Sequence, residues 1–419
     1  MTDFLSQLEW RGLLYQQTEG AAAHLAAGMV TGYCGFDPTA PSLHVGSLVP
    51  IMGLVHLQRA GHRPVALVGG GTGMIGDPSG KATERQLLTV DEIDANVAGI
   101  RSQLERFLDF SGAHAARLVD NAEWLRELHA IDFMRDVGKH FTVNVMMQKE
   151  SVKARMDAGI SYTEFSYMLL QAYDFLELQR RYGVTLQIGG SDQWGNITAG
   201  TELVRRTLQK EAHGVTLPLV TTSSGQKFGK SEAGAVWLDA ARTSPYQFYQ
   251  FWVNADDADA LKYLRFFSLL PRDEVETLGA ALAAAPHERA VQRRLASEVT
   301  TTVHGAVAAS LAEEVSKVIF DKKVDARALS KDLFITLAAE IPHARVSSTS
   351  GAVSVIDALE AAFGLSKTAA RKLIQQGAVT VNGAKLAADA PTVDAGSAVH
   401  GRWFLLRKGG RDVAVLELT

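Results

Sequence analysis

Two segments of the 419-residue chain gather the residue types that stabilise phosphate charge. In Leu43-His44-Val45-Gly46-Ser47 a histidine, a glycine and a serine stand where a helix-patterned run, Leu48–Arg59, begins. The first N–H groups of a helix lack partners and its dipole favours an anion there. His44 can donate a hydrogen bond to a phosphate oxygen from either ring nitrogen. Gly46 would let a ligand come close to the helix start, and Ser47 adds one hydroxyl donor. In Ser223-Ser224-Gly225-Gln226-Lys227-Phe228-Gly229-Lys230-Ser231 two lysines three residues apart sit among small residues. Such cations can converge on a departing pyrophosphate, where they stabilise the transition state more than the ground state. Gln187-Ile188-Gly189-Gly190-Ser191-Asp192-Gln193 offers two glycines for close approach of a nucleoside, and Asp192 to accept from a ribose hydroxyl.

A further segment suits an amino acid. Between Ser161 and Arg181, Phe165, Met168, Leu169, Ala172 and Leu176 gather on one face of a helix, with Ser161 and Glu164 at capping-box spacing. Tyr167, Gln171 and Asp174, four and three apart, gather on the opposite face. A solvated face is one reading of that pattern. Such faces usually carry more Lys and Glu, and a tyrosine, an amide and a carboxylate are the better set for an ammonium group and a hydroxyl.

These side chains need a frame that brings them together. Short β-like runs at Val30–Phe36, Pro64–Val68, Thr185–Ile188 and Thr216–Val220 alternate with helix-patterned segments at Leu48–Arg59, Val90–Phe110 and Gln193–Thr207. That alternation predicts a parallel sheet with helices on both faces, and ligands beyond the carboxyl ends of its strands. From about Ser244 to Phe320 the pattern is helical. Arg345–Gly351, rich in Ser and Thr, reads as a linker. Beyond it, Val353–Phe363 and Thr368–Gln376 are helix-like, and Ala378–Gly383 reads as a strand ending in an Asn-Gly turn. From Val353 onward there are eight Lys/Arg and six Asp/Glu, a net +2 against −6 for the rest of the chain.

Composition sets the outer limits. Apolar residues make up 47% and charged residues 21%, which suits a folded chain with a sizeable core. A net charge of −4 excludes polyanion binding over the whole surface, so any nucleic-acid surface is local. The single cysteine, Cys34, excludes an intrachain disulfide and fits a reducing compartment. No run of about 20 uncharged apolar residues occurs, so no membrane span is expected and the cytoplasm is the expected address.

The His44–Ser47 segment resembles the His-Ile-Gly-His signature of class I aminoacyl-tRNA synthetases, with Ser47 in place of the second histidine. The lysine loop resembles their Lys-Met-Ser-Lys-Ser signature, in the Lys-Phe-Gly-Lys-Ser form of tyrosyl enzymes. Phe165–Phe175 and Gln187–Asn196 resemble segments of bacterial tyrosyl-tRNA synthetases, and Ser366–Ile374 with Val379–Gly383 resembles the S-four-type RNA-binding module.

The resemblance implies an α/β fold: a Rossmann-like, doubly wound parallel sheet binding ATP and tyrosine over residues 1–225. A lysine loop and α-helical domain would follow over 226–335, then a linker over 336–351 and an α+β RNA-binding module over 352–419. It implies catalytic roles for His44, Ser47, Lys227, Lys230 and Ser231. Tyrosine would be held by Tyr33, Asp77, Tyr167, Gln171, Asp174 and Gln187, with Asp174 and Tyr33 on the phenol hydroxyl. ATP would lie against Cys34, Gly35, Asp37, Thr39, Gly46, Asp192, Gln193 and Lys230, and RNA against Lys367, Arg371 and Lys372. The implied partners are L-tyrosine, ATP with Mg²⁺ on its phosphates, tRNA(Tyr) and a second copy in a homodimer. No protein-bound metal is implied. A tryptophanyl enzyme shares the architecture, but indole offers no hydroxyl to Asp174 and Tyr33. A non-catalytic RNA-binding or splicing protein on this scaffold would not need His44, Asp192 and both lysines.

Overall fold

The computed structural model describes residues 3–79, 87–149, 152, 153, 156, 159–223, 225, 228–231, 234–410 and 412–419. They pack as two units, Met1–Ser244 with Phe251–Val303, and Pro245–Gln250 with His304–Thr419.

In the first unit α1 (Phe4–Arg11) and the short strand β1 (Gln16–Gln17) precede an alternating series. It runs β2 (Thr31–Phe36), α2 (Leu48–Arg59), β3 (Arg63–Val68), α3 (Val90–Leu104), β4 (Arg117–Asp120), α4 (Tyr162–Tyr182), β5 (Leu186–Gly190), α5 (Trp194–Leu208) and β6 (His213–Leu217). The strands lie in the order β1-β6-β5-β2-β3-β4. β2 to β6 are parallel, as the alternation predicts, and only the edge strand β1 runs antiparallel, against β6. The run expected as a strand over Thr216–Val220 ends at Leu217, because Pro218 has no N–H to continue the ladder.

From β2 the chain winds out to β3 and β4, then returns to place β5 and β6 on the other side. The direction of winding therefore switches between β2 and β5, the position where such sheets bind ligands. The pairing of β2 with β5 covers only Gly32↔Leu186 and Tyr33↔Gln187. Past those residues β2 stays with β3 as far as Phe36, and β5 stays with β6 as far as Gly190. The two strands part at their carboxyl ends, opening a crevice there.

α4 forms the crevice wall. Ser161 caps its start by accepting from the Glu164 N–H at 3.2 Å, and Gly183, at φ 65°, ends it in a left-handed turn. Its apolar face buries Met168, Ala172 and Leu176, but Tyr167 and Asp174 on the opposite face are buried too. The polar face is thus not a solvated one.

After β6 come the two-residue strands β7 (Lys230–Ser231) and β8 (Gly234–Ala235), then α6 (Pro245–Val253) and α7 (Asp257–Phe267).

In the second unit α8 (Ala306–Phe320) and α9 (Lys331–Glu340) lead to β9 (His343–Val346), β10 (Ala352–Ser354), α10 (Val355–Phe363), α11 (Lys367–Gln375), β11 (Val379–Val381), β12 (Ala384–Lys385), β13 (Thr392–Asp394), β14 (Trp403–Lys408) and β15 (Asp412–Leu418). The main sheet runs β12-β11-β14-β15-β9. Asn382 and Gly383, both at positive φ, make the tight turn between β11 and β12 that the Asn-Gly pair predicts. Residues 336–351, expected as a linker, instead hold the second half of α9 and β9. β9 pairs in parallel with β15 and buries Ala344 and Val346, an alternation only four residues long. The buried Arg407 guanidinium donates to the carbonyls of Val318, Ile319 and Asp321 at the end of α8. Among the described residues, no helix is long and apolar enough to cross a membrane.

Candidate active site

The deepest part of the crevice is a carboxylate held by two donors. Asp174 on α4 is only 2% exposed. Its Oδ2 accepts from Asn121 Nδ2 at 2.9 Å and its Oδ1 from Trp124 Nε1 at 2.8 Å. Asn121 follows the carboxyl end of β4 directly, and its own Oδ1 accepts the Gly71 N–H at 2.7 Å, tying it to the glycine loop after β3. Burial pushes the Asp174 carboxyl up to about 8, against the pull of Asn121 and Trp124; the Asp37 and Asp120 carboxylates push the same way. Tyr33 stands on β2 with its ring edge-on to Phe175 at 5.2 Å. Its hydroxyl is raised well above the ordinary phenol range by burial, then by Asp174 and Cys34. Among the described residues that hydroxyl has no hydrogen-bond partner. Asn121 and Trp124 were not legible as site residues, although both follow a strand end.

Nearer the mouth, amides and acids form a chain. Gln171 Nε2 donates to Gln193 Oε1 at 3.3 Å, and Gln193 Nε2 donates to Asp77 Oδ2 at 2.7 Å. Asn196 Nδ2 also donates to Gln193 Oε1, at 3.0 Å. The second Asp77 oxygen accepts the Ser79 N–H at 2.9 Å, fixing the turn after the glycine loop. Tyr167 Oη donates to Asp37 Oδ1 at 3.3 Å. The residual acceptors are informative. Gln171 Oε1 and the Oε1 of Gln187, a residue 2% exposed, are buried without partners among the described residues. Leaving a buried polar atom unpaired costs about 1–3 kcal/mol, so such a cluster marks a place for a ligand that supplies donors.

The phosphate signatures meet through backbone. His44 is exposed, and its Nδ1 accepts the Gly46 N–H at 3.0 Å. That bond puts the ring proton of the neutral tautomer on Nε2, leaving Nε2 as the donor toward a phosphate rather than either nitrogen. A Cβ on Gly46 would stand 2.7 Å from His44 Cε1. The glycine therefore makes room for the imidazole, a closer requirement than the ligand approach expected of it. Ser47 does not cap α2 with its side chain. Val45 N–H donates to Val236 O at 2.9 Å, and Val236 N–H donates to Gly229 O at 3.1 Å, so one ladder joins the histidine segment to the lysine loop. Lys227 lies outside the described residues. Lys230 and Ser231 are described by their backbone alone, as β7 paired with β8.

Cys34 is buried in β2, where burial pushes its thiol up to about 12, and it makes a weak S–H contact to Gly35 O at 3.7 Å. Gly35 and Thr39 are exposed along the crevice edge. Asp192, on the rim, is held above the ordinary carboxylate range by partial desolvation and by Asp77. In the second unit Lys367 pairs with Asp357 at 2.9 Å and Glu360 at 3.8 Å, while Arg371 and Lys372 are exposed on the next turn of α11.

A parallel sheet that switches direction at β2 and β5, with a histidine signature after β2 and a lysine loop after β6, defines a class I tRNA synthetase. A family model described as tRNA synthetases class I (W and Y) matches residues 26–321, and one described as the tyrosine–tRNA ligase SYY-like C-terminal domain matches residues 334–415. The tyrosine–tRNA ligase of Anaeromyxobacter dehalogenans strain 2CP-1 is 51% identical over 420 residues, covering 100% of both chains. That of Staphylococcus carnosus is 50% identical over 385 residues, 91% of each chain. Among solved structures, a C-terminally truncated mitochondrial tyrosyl-tRNA synthetase of Coccidioides posadasii aligns with a TM-score of 0.66 at 32% identity, covering 75% of this chain and 92% of that one. The chain belongs to the tyrosine–tRNA ligase family.

Proposed function

We propose that the crevice binds L-tyrosine with its phenol hydroxyl at Asp174 and Tyr33 and its ammonium group among Gln171, Tyr167, Asp77 and Gln187. The reaction is that of a tyrosine–tRNA ligase. The tyrosine carboxylate attacks the α-phosphate of ATP, giving tyrosyl-adenylate and pyrophosphate, and the 3′ end of tRNA(Tyr) then takes the tyrosyl group. The substrate carboxylate is itself the nucleophile, so the protein supplies position and charge. In this reading Asp192, Cys34, Gly35, Asp37, Thr39 and Gly46 line the nucleoside and phosphates, and Gln193 stands beside the reacting carboxylate. His44 Nε2 donates to a phosphate oxygen, with Ser47 beside it, and Lys227, Lys230 and Ser231 neutralise the pyrophosphate. Mg²⁺ arrives on the ATP phosphates as part of the substrate.

The observation that carries the assignment is the unpaired trio of Tyr33 Oη, Gln171 Oε1 and Gln187 Oε1 in a buried crevice. Amide oxygens are ready for an ammonium group, and a phenol hydroxyl beside a carboxylate is ready for another hydroxyl. Tyr33→Phe tests it. Removing a hydroxyl that lacks a partner leaves the Tm of the ligand-free protein unchanged or higher, while tyrosine affinity falls about tenfold. Unchanged affinity would take Tyr33 out of the site.

We also read residues 352–419 as the RNA-binding module, with Arg371, Lys372 and Lys367 meeting tRNA phosphates. We also propose that two copies pair as a homodimer, which sedimentation equilibrium tests. The reaction is placed in the cytoplasm, which cell fractionation tests.

A further inference from the structure

We infer that Phe228 is the fixed point of the lysine loop, a positioning residue that holds the loop backbone to the His44 segment by seating in a cradle of rings on α6 and α7. The inference rests on the reading of this loop as the pyrophosphate clamp. Its composition suggests a freely moving segment, yet Phe228, its one large apolar residue, is only 6% exposed. The Phe267 ring stacks on it at 5.5 Å with an interplanar angle of 7°. Tyr263 stands 5.0 Å away, Phe251 5.8 Å and Trp252 5.9 Å. Tyr263 and Phe267 are four apart on α7, so one helix face presents both rings.

The same helix holds the entrance to the loop. Asp259, 2% exposed, accepts the Ser223 N–H at 2.7 Å. Lys262 donates to Thr221 O at 3.0 Å and pairs with Asp259 at 2.7 Å. On the other side, Gly229 turns the chain at φ 85°, and a Cβ there would stand 2.9 Å from Val45 Cγ2. Its carbonyl accepts from Val236, whose own carbonyl accepts from Val45. Phe228 is therefore the joint between a helical seat and the segment that carries His44. Catalysis by charge placement is sensitive to such a joint, because displacing a group by about 1 Å can cost 10²-fold in rate.

The test compares Phe228→Ala, Phe228→Met and Asp259→Asn with the wild type in ATP–pyrophosphate exchange, with tyrosine affinity and Tm measured on each. Tyrosine-dependent exchange in the wild type tests the reaction itself; the ratio of variant to wild type tests the joint. Phe228→Ala is expected to lower kcat about 10²-fold with tyrosine affinity unchanged. Phe228→Met, flexible and apolar, is expected to recover to within about threefold of the wild type. Unchanged kcat in Phe228→Ala, a parallel loss of tyrosine affinity, or a Phe228→Met variant as impaired as the alanine would overturn the inference. Should Phe228→Ala fail to fold, Asp259→Asn decides. A kcat lowered about tenfold at unchanged affinity supports the joint, and an unchanged kcat contradicts it.

Discussion

The Trp124 indole donates to the Asp174 carboxylate at 2.8 Å, joining the segment after β4 to the middle of α4 across 50 residues of chain. Together with Asn121 it leaves the carboxylate paired but not saturated, since each oxygen has a second lone pair. Arg181 lies over the Trp124 ring at 5.1 Å. Trp124→Phe keeps a ring for Arg181 but removes the donor. It is expected to weaken tyrosine binding about tenfold, measured by equilibrium dialysis. Affinity equal to the wild type would mean that Trp124 only packs.

In the proposed complex Asp174, ionised against the phenol hydroxyl, is a charge-assisted acceptor, which Asp174→Asn removes at constant volume. Such bonds contribute about 1.5–3 kcal/mol, so the kcat/KM ratio for tyrosine over phenylalanine should fall roughly tenfold to a hundredfold. Unchanged discrimination would remove Asp174 from that role.

Stability should carry the mark of Asp174 as well. Its folded value of about 8 lies above the unfolded value near 3.9. Between those values the native state binds more protons than the unfolded one, so stability falls as pH rises. The contribution is fully present below about pH 4 and is lost progressively toward pH 8. In ligand-free protein the Tm of Asp174→Asn minus that of the wild type should therefore grow from pH 5 to pH 8. A flat difference would mean that Asp174 is ionised throughout.

Gly46→Ala sets a methyl group against the His44 ring, at 2.7 Å from Cε1. The ring must turn, carrying Nε2 away from its proposed phosphate partner while leaving the proposed tyrosine pocket intact. The expected outcome in exchange kinetics is a kcat lowered roughly tenfold to a hundredfold with tyrosine affinity retained. A variant with wild-type kcat would show that His44 needs no fixed orientation.

Much of this arrangement was legible where chemistry and chain punctuation coincide. The alternation of strand and helix patterns, with Gly189-Gly190 at one strand end, marked where the strands stop, and strand ends are where the crevice opens. The Tyr167, Gln171 and Asp174 face followed from helical spacing, but spacing could not say that the face is buried; that depends on β4, only four residues long and followed by no glycine turn. Asn121 and Trp124 escaped for the same reason, because their partner lies 53 and 50 residues further along the chain. The Ser- and Thr-rich run after Val346 disguised β9, whose pairing with the C-terminal strand β15 is equally non-local. Phe228 read as part of a loop because its ring partners come from two later helices.

ATP–pyrophosphate exchange, run with each of the twenty amino acids in turn, tests the central claim most directly. The structure predicts exchange that depends on L-tyrosine and falls away with phenylalanine and tryptophan. Exchange driven by tryptophan, or none with any amino acid, would contradict it.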